Sequence, residues 1–192
     1  MTAVESALIV SNTEKSVTLL TDMLIAFSCG GITARQSCAE ARRLLMEQVF
    51  DIVIINAPLR DESGESLARH IAGAGTCQVL LIVKSEHFEE ISAITETDGV
   101  LVIPKPISRD MLWSALKLAA ASQNRMRRLQ AENNKLTQKI EDIRIIDRAK
   151  CILVSFLSIT EQEAHRYIEK QAMDMRTTRR SIAESILKMY EE

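Results

Sequence analysis

Of the 192 residues only six are glycine and three proline, so the chain has neither the repeat of a collagen nor the breakers of a low-complexity segment, and helix is expected to dominate. Aromatic residues are scarce at 4%, while apolar residues reach 46% and charged ones 26%, a balance that excludes a disordered chain. The four cysteines, Cys29, Cys38, Cys77 and Cys151, form no C-x-x-C pair. That argues against a zinc site or a disulfide framework and fits a reducing compartment. No apolar run exceeds strand length, 79–83 being typical, and the charged start does not resemble a signal peptide. A soluble, cytoplasmic protein with no membrane partner, metal or cofactor is expected. Its length suits one full domain with an appendage.

What is present is uneven in charge. The net charge of −2 conceals 9 Lys and Arg against 15 Asp and Glu in residues 1–116, 9 against 4 in 117–150, and 6 against 7 in 151–192. An acidic front before a basic middle points to an anionic partner approaching the second half; a solvated helix face would give the same counts. In the front half, short runs rich in β-branched residues recur at 7–10, 32–34, 52–55, 79–83 and 100–103, with helical spacing between them. Strands alternating with helices imply a parallel sheet covered on both faces, and right-handed crossovers make a flavodoxin-like α/β fold the natural choice. Ser37 and Glu40 have the spacing of a capping box before the second helix.

Ligands of such folds sit at the carboxyl ends of the strands. There the chain has Ser11 and Asn12 after the first strand, Asn56 ending the third, Lys84 and Ser85 after the fourth, and Lys105-Pro106 after the fifth. This layout resembles the CheY-like receiver domain of two-component response regulators over roughly residues 5–120. The family has two acidic residues after the first strand, a phospho-accepting Asp at the end of the third, Ser or Thr after the fourth and Lys-Pro after the fifth. The chain keeps Lys105-Pro106, with Ser85 as the hydroxyl, and departs at Ser11, Asn12 and Asn56. An acyl phosphate needs a carboxylate nucleophile and a Mg²⁺ held by hard oxygens, which Asn56, Ser11 and Asn12 do not offer. Asp61 and Asp51 lie too far along the chain to replace them. The resemblance therefore implies a pseudo-receiver with a degenerate phosphoacceptor pocket, in which Lys105 is expected to hydrogen-bond the Asn56 amide.

From 108 to about 144 there is neither Gly nor Pro, and one helix of that length would extend roughly 55 Å, too far to pack wholly on one small domain. A heptad fits its later part, with Ala119, Met126, Asn133 and Ile140 at a and Ser122, Leu129, Leu136 and Ile143 at d. Asn133 resembles the register-setting asparagine of parallel two-stranded zippers, so a homodimer through Met126, Leu129, Asn133, Leu136, Ile140 and Ile143 is expected. The flanking residues help less: Arg125, Glu132 and Lys139 at g face Gln130, Thr137 and Arg144 at e, and the last pair repels. An amphipathic helix packed within one subunit is the other reading of the same stripe.

Three apolar stripes follow: Ala149, Ile152, Leu153 and Phe156; Ala164, Tyr167, Ile168 and Ala172; Ile182, Ala183, Ile186 and Tyr190. They predict a compact three-helix unit, with Tyr167 and Tyr190 in its core. Thr160 and Glu163 form a second capping box, and Thr177-Thr178 caps the third helix. That cap puts Arg179 and Arg180 in a first turn, where the helix dipole disfavours cations by roughly 0.3–1 kcal/mol each. A bound phosphate would reverse the sign. Arg148, Lys150, Arg166, Lys170 and Arg176 complete the candidate basic surface.

The motifs Arg148-Ala149-Lys150-Cys151-Ile152-Leu153-Val154, Thr160-Glu161-Gln162-Glu163-Ala164, Gln171-Ala172-Met173 and Ile182-Ala183-Glu184-Ser185-Ile186-Leu187 resemble the ANTAR domain of transcription antitermination regulators. Ala149, Lys150, Ala164, Ala172, Met173 and Ala183 match its pattern, the alanines and Met173 as core; Cys151 stands where members commonly have Gly. The resemblance implies a pseudo-receiver over 1–120, a coiled coil over 121–145 and an RNA-binding domain over 146–192. It further implies that paired hairpins in a leader transcript are bound and an antiterminator stabilised, with Lys and Arg on phosphates and guanidinium planes stacking loop bases. A regulatory protein partner at the receiver-like domain would then replace phosphorylation. A DNA-binding response regulator and a dimeric protein-interaction scaffold are the alternatives; an enzyme is not expected, since His70, His87 and His165 have no neighbouring motif of nucleophile, base or ligand.

Overall fold

The structure is a computed structural model that describes residues 4–190. The chain divides after Arg127 into two compact units. In the first, strands β1 (Ser6–Ser11), β2 (Gly31–Arg35), β3 (Ile52–Asn56), β4 (Gln78–Lys84) and β5 (Leu101–Lys105) alternate with helices α1 (Glu14–Ala26), α2 (Cys38–Glu47), α3 (Glu65–Gly73) and α4 (Phe88–Thr95), and with the start of α5 (Arg109–Leu157). All pairings are parallel, in the order β2-β1-β3-β4-β5. This is the CheY-like α/β fold, and each run of β-branched residues noted in the sequence falls within a residue or two of a strand.

Alternation along the strands divides the apolar residues between two cores. Leu8, Val10, Val53, Ile55, Val79 and Leu81 face α2 and α3, against Ala41, Leu44, Leu67 and Ile71. Ala7, Ile9, Ile52, Ile54, Leu80 and Ile82 face α1 and the first turns of α5, against Leu20, Leu24, Leu112 and Leu116. Strands buried on both faces are what a parallel sheet requires. Gly64 precedes α3 with φ +92, and a Cβ there would sit 3.0 Å from the Ile55 methyl, so both backbone and space call for glycine.

Two features differ from expectation. Ser37 accepts from the Glu40 amide at 3.2 Å, but the Glu40 carboxylate reaches Gln36 N at 3.1 Å rather than Ser37, so the α2 box closes one residue early. The connecting helix does not stop near 144: α5 is continuous over 49 residues and includes the first stripe of the last fifty. No residue after 144 breaks it until Ser158, which takes a left-handed φ of 54.

In the second unit the end of α5 packs with α6 (Glu161–Asp174) and α7 (Arg179–Tyr190). Its core is Ala149 and Leu153 from α5, Ala164, Ile168 and Ala172 from α6, and Ile182, Ala183 and Ile186 from α7. Alanine at so many contacts brings the helix axes close. The capping box at Thr160 and Glu163 is complete, and Thr178 Oγ1 accepts from Ser181 N at 3.2 Å as the cap of α7. The stripes were drawn too wide, however. Phe156 is exposed, stacked on the Tyr190 ring at 4.9 Å between centroids, and Tyr167 and Met173 are 44% and 71% exposed rather than core. Phe156 and Tyr167 lie at the edges of stripes whose centres are filled by Ala149 and Leu153 and by Ala164, Ile168 and Ala172, and Met173, core only by the family-like pattern, follows Ala172 on the exposed side.

Candidate functional site

At the carboxyl ends of the strands, parallel register places Ser11 directly beside Asn56. Both are buried, and Asn56 Nδ2 donates to Ser11 Oγ at 3.0 Å, leaving Asn56 Oδ1 without a hydrogen-bond partner among the described residues. Asn12 Nδ2 donates to the Pro58 carbonyl at 3.2 Å. The Ser85 hydroxyl donates to the Lys105 carbonyl, and the Lys105 ammonium donates to the Ala57 carbonyl. That corrects the expected bond to the Asn56 amide: one step along the chain a backbone oxygen is available, a better acceptor for a cation than an amide already turned to Ser11. Burial, with Lys84 nearby, pushes the Lys105 ammonium below its ordinary pKa.

The two carboxylates set aside in the sequence are engaged elsewhere. Asp51, at the opposite end of β3, accepts from Glu5 N at 2.7 Å and Ser6 N at 3.3 Å and pairs with Arg127. Asp61 accepts from Cys38 N and Ala39 N at 3.0 Å each, and these amides hold its carboxyl below the usual range. Cys38, Asp61 and Glu62 stand close enough to suggest a metal. Yet Glu62 forms a two-pronged pair with Arg42, Asp61 caps α2, and burial pushes the Cys38 thiol up to about 11, so the thiolate a metal needs is scarce.

Four basic candidates of the second unit, Lys150, Arg166, Lys170 and Arg179, lie on α6 or touch it. Arg166 and Lys170 lie on its exposed side, away from the buried Ala164, Ile168 and Ala172. Arg179 reaches the same helix, with Nη1 2.9 Å from Glu169. Lys150 meets α6 at its start, held between Asp147 at 2.7 Å and Glu161 at 3.0 Å, and both acids raise its pKa. The two contacts on α6 are eight residues apart, about 12 Å along the axis. Arg180 turns to Glu184 and to Asp142 of α5, each at 2.8 Å, and Arg176 stands in the turn between α6 and α7 with φ +49. Arg148 is exposed beside the buried Ala149. The structure thus brings Arg179 and His165 to Glu169, leaves Arg166 and Lys170 on the exposed side of the same helix, sets Lys150 at its start, and turns Arg180 to Asp142 and Glu184.

The cations in the first turn of α7 therefore have carboxylate partners, an arrangement the sequence reading did not anticipate. Glu169 and Asp142 come from other helices, 10 and 38 residues away, and no local spacing signals them. Tyr167, half exposed next to Arg166, is an aromatic surface the sequence reading had assigned to the core. Among the described residues no helix is long and apolar enough to cross a membrane.

Comparison with known proteins fits this division. The model of the ANTAR domain matches residues 134–187. The transcriptional regulatory protein PdtaR of Mycobacterium tuberculosis is 26% identical over 137 residues, 71% of this chain and 67% of that protein. The aliphatic amidase regulator of Pseudomonas aeruginosa is 27% identical over 143 residues, 72% of each. Among solved structures, the receiver domain of an HD domain-containing protein from Pseudomonas fluorescens superposes with a TM-score of 0.58 at 21% identity, covering 65% of this chain and 93% of that one. A CheY-like receiver domain from Methanospirillum hungatei gives 0.55 at 17% identity, covering 64% and 98%. The chain carries a C-terminal ANTAR domain behind a domain with the CheY-like receiver fold.

Proposed function

We propose that the protein is an RNA-binding transcription antitermination regulator: as a homodimer it holds hairpins of a nascent transcript in the form that prevents a terminator. The observation that supports this best is the ANTAR match lying over the helices that carry Lys150, Arg166, Lys170, Arg179 and Arg180 and over the turn that carries Arg176. Arg148 belongs to the same surface. Ion pairs between exposed groups contribute only ~0–1 kcal/mol, so a phosphate can replace Glu169 on Arg179 at small cost. At the start of α7 it would gain the helix dipole and two guanidinium groups. Tyr167, beside Arg166, offers a flat apolar face for an unpaired loop base.

Dimerisation rests on α5. Met126, Leu129, Leu136, Ile140 and Ile143 recur at a and d spacing and are 44–59% exposed in the single chain. Asn133 is exposed with them, its Oδ1 meeting only Thr137 Oγ1 at 3.5 Å, so its amide is open to pair with a second copy. In the receiver-like domain, Asn56 is no nucleophile and Ser11 and Asn12 bring no charge to a Mg²⁺, so phosphoryl transfer does not provide the input. Contact with a regulatory protein would.

The test is competition binding of the full chain to an RNA with two tandem stem-loops, against duplex DNA of equal length. Wild type binds the RNA; Lys150→Ala, and Arg179→Ala with Arg180→Ala, each lose roughly tenfold or more at moderate salt with helicity and dimer mass unchanged. Preference for duplex DNA would favour the DNA-binding regulator, and indifference to both the protein scaffold.

A further inference from the structure

The charges flanking the α5 seam carry one anomaly. In a parallel dimer each g residue faces the e residue five places on in the other helix. Two of the three layers set one charge against an uncharged residue, Arg125 against Gln130 and Glu132 against Thr137, and so involve no repulsion between facing charges. The third sets Lys139 against Arg144, beside the apolar layer of Ile140 and Ile143. Within one chain neither is neutralised. Lys139 has Asp142 at i+3, but that carboxylate is taken by Arg180 at 2.8 Å; Arg144 has Glu141 at i−3. Among the described residues Lys139 and Arg144 form no ion pair, and Arg144 is exposed. A sequence shaped for dimer stability alone would put an acid at one of the two positions, as coiled coils commonly do at e and g.

We infer that Lys139 and the partner's Arg144 form, on each flank of the dimer, a binding site for RNA phosphate that exists only once two chains have joined. The inference rests on the dimer and RNA reading above and deepens it. Two cations held side by side against an apolar seam are repulsive in the free dimer and favourable once a phosphodiester lies between them. Both positions lie within residues 134–187 and lead along α5 towards Arg148 and Lys150, so a strand held there continues onto the basic surface of α6 and α7. Binding and dimerisation are then linked by the same charges, because RNA relieves a repulsion that only the dimer creates.

Arg144→Glu separates the two effects, since it turns the repulsive layer into an attractive one. In sedimentation the full-length variant dimerises more tightly than wild type, by roughly fivefold or more. Its affinity for the tandem stem-loop RNA nevertheless falls by roughly tenfold or more, and the slope of log affinity against log salt shrinks by about two, one phosphate for each arginine of the dimer. Arg144→Gln falls between on both measures, which guards against a specific disturbance by the new carboxylate. A variant that dimerises more tightly with unchanged affinity and slope overturns this inference and leaves the proposed function standing. Looser dimerisation of Arg144→Glu also overturns it, because Lys139 would then not face residue 144. Wild type that stays monomeric, or that ignores the RNA at low ionic strength, overturns the proposed function instead.

Discussion

At the carboxyl ends of β1 and β3 the polar side chains are buried and directed at one another or at backbone carbonyls, whereas in the second unit basic side chains of α5 and α7 rest on carboxylates at the surface. Ser11 is 0% and Asn56 5% exposed, and their mutual bond is shielded from solvent. Lys150, Arg179 and Arg180 are partnered too, but by Glu161, Glu169 and Glu184, whose side chains are 77%, 41% and 49% exposed, so water and salt already weaken the pairs. A buried amide contact is lost only at the cost of an unsatisfied group, about 1–3 kcal/mol, while a surface ion pair exchanges for a phosphate nearly evenly. The first arrangement serves the fold, and the second is available to a ligand.

The largest effect that could break this contrast is chemical. Incubated with acetyl phosphate and Mg²⁺, the wild-type chain gains no phosphoryl mass. Asn56→Asp alone supplies a nucleophile without ligands for the ion and also remains essentially unlabelled. Adding Ser11→Asp and Asn12→Asp takes labelling from none to a majority of chains by intact mass. A labelled wild type would show that the site at the strand ends is reactive after all.

Next in size is the loss of core volume. Leu81 in β4 and Ile168 in α6 are 0% and 1% exposed, and truncating either to alanine costs about 2–5 kcal/mol. If each unit is held by its own core, hydrogen exchange quickens in α2 and α3 for Leu81→Ala and in α6 and α7 for Ile168→Ala, each sparing the other. Loss of protection in both units from one substitution would make them a single cooperative block.

Local chemistry made much of this legible in advance. The strands showed themselves because β3 and β4 are buried on both faces and so read as continuous Ile, Val and Leu. The caps at Thr160 and Thr178 depend on residues three apart, which a sequence displays directly. What stayed hidden depends on side chains brought together by packing. Arg180 meets Asp142 from 38 residues away, and Lys105 finds the Ala57 carbonyl across the sheet rather than the Asn56 amide expected from the motif. The full length of α5 is hidden because its apolar pattern changes near 144, whereas the helix itself continues: nothing between 144 and Leu157 breaks it. Tyr167 is legible only as part of a stripe, and a stripe read at i, i+3 and i+4 has no edge until its neighbours fill the centre; Met173, core by the family-like pattern alone, follows the buried Ala172 out to the surface.

The smallest expected effect sharpens the comparison at two helix starts. Thr160 and Glu163 cap α6 reciprocally, Thr160 N donating to the Glu163 carboxylate at 2.8 Å and Glu163 N to Thr160 Oγ1 at 3.3 Å. On α2, Ser37 takes only the Glu40 amide, because Asp61 already accepts from Cys38 N and Ala39 N. Thr160→Ala therefore costs about 1 kcal/mol, and Ser37→Ala roughly half of that, in urea unfolding at neutral pH. The two should also diverge in acid. The Thr160 amide, with its hydroxyl, holds the Glu163 carboxyl below the usual range. A depressed carboxylate contributes stability above its unfolded value near about 4.3 and loses it as pH falls through the folded value, so wild type approaches Thr160→Ala as the box is protonated. The Ser37 hydroxyl does not titrate, and its deficit persists at the same pH. A Thr160→Ala deficit that is constant with pH would mean that the carboxylate of the box contributes nothing, and that the two caps work alike.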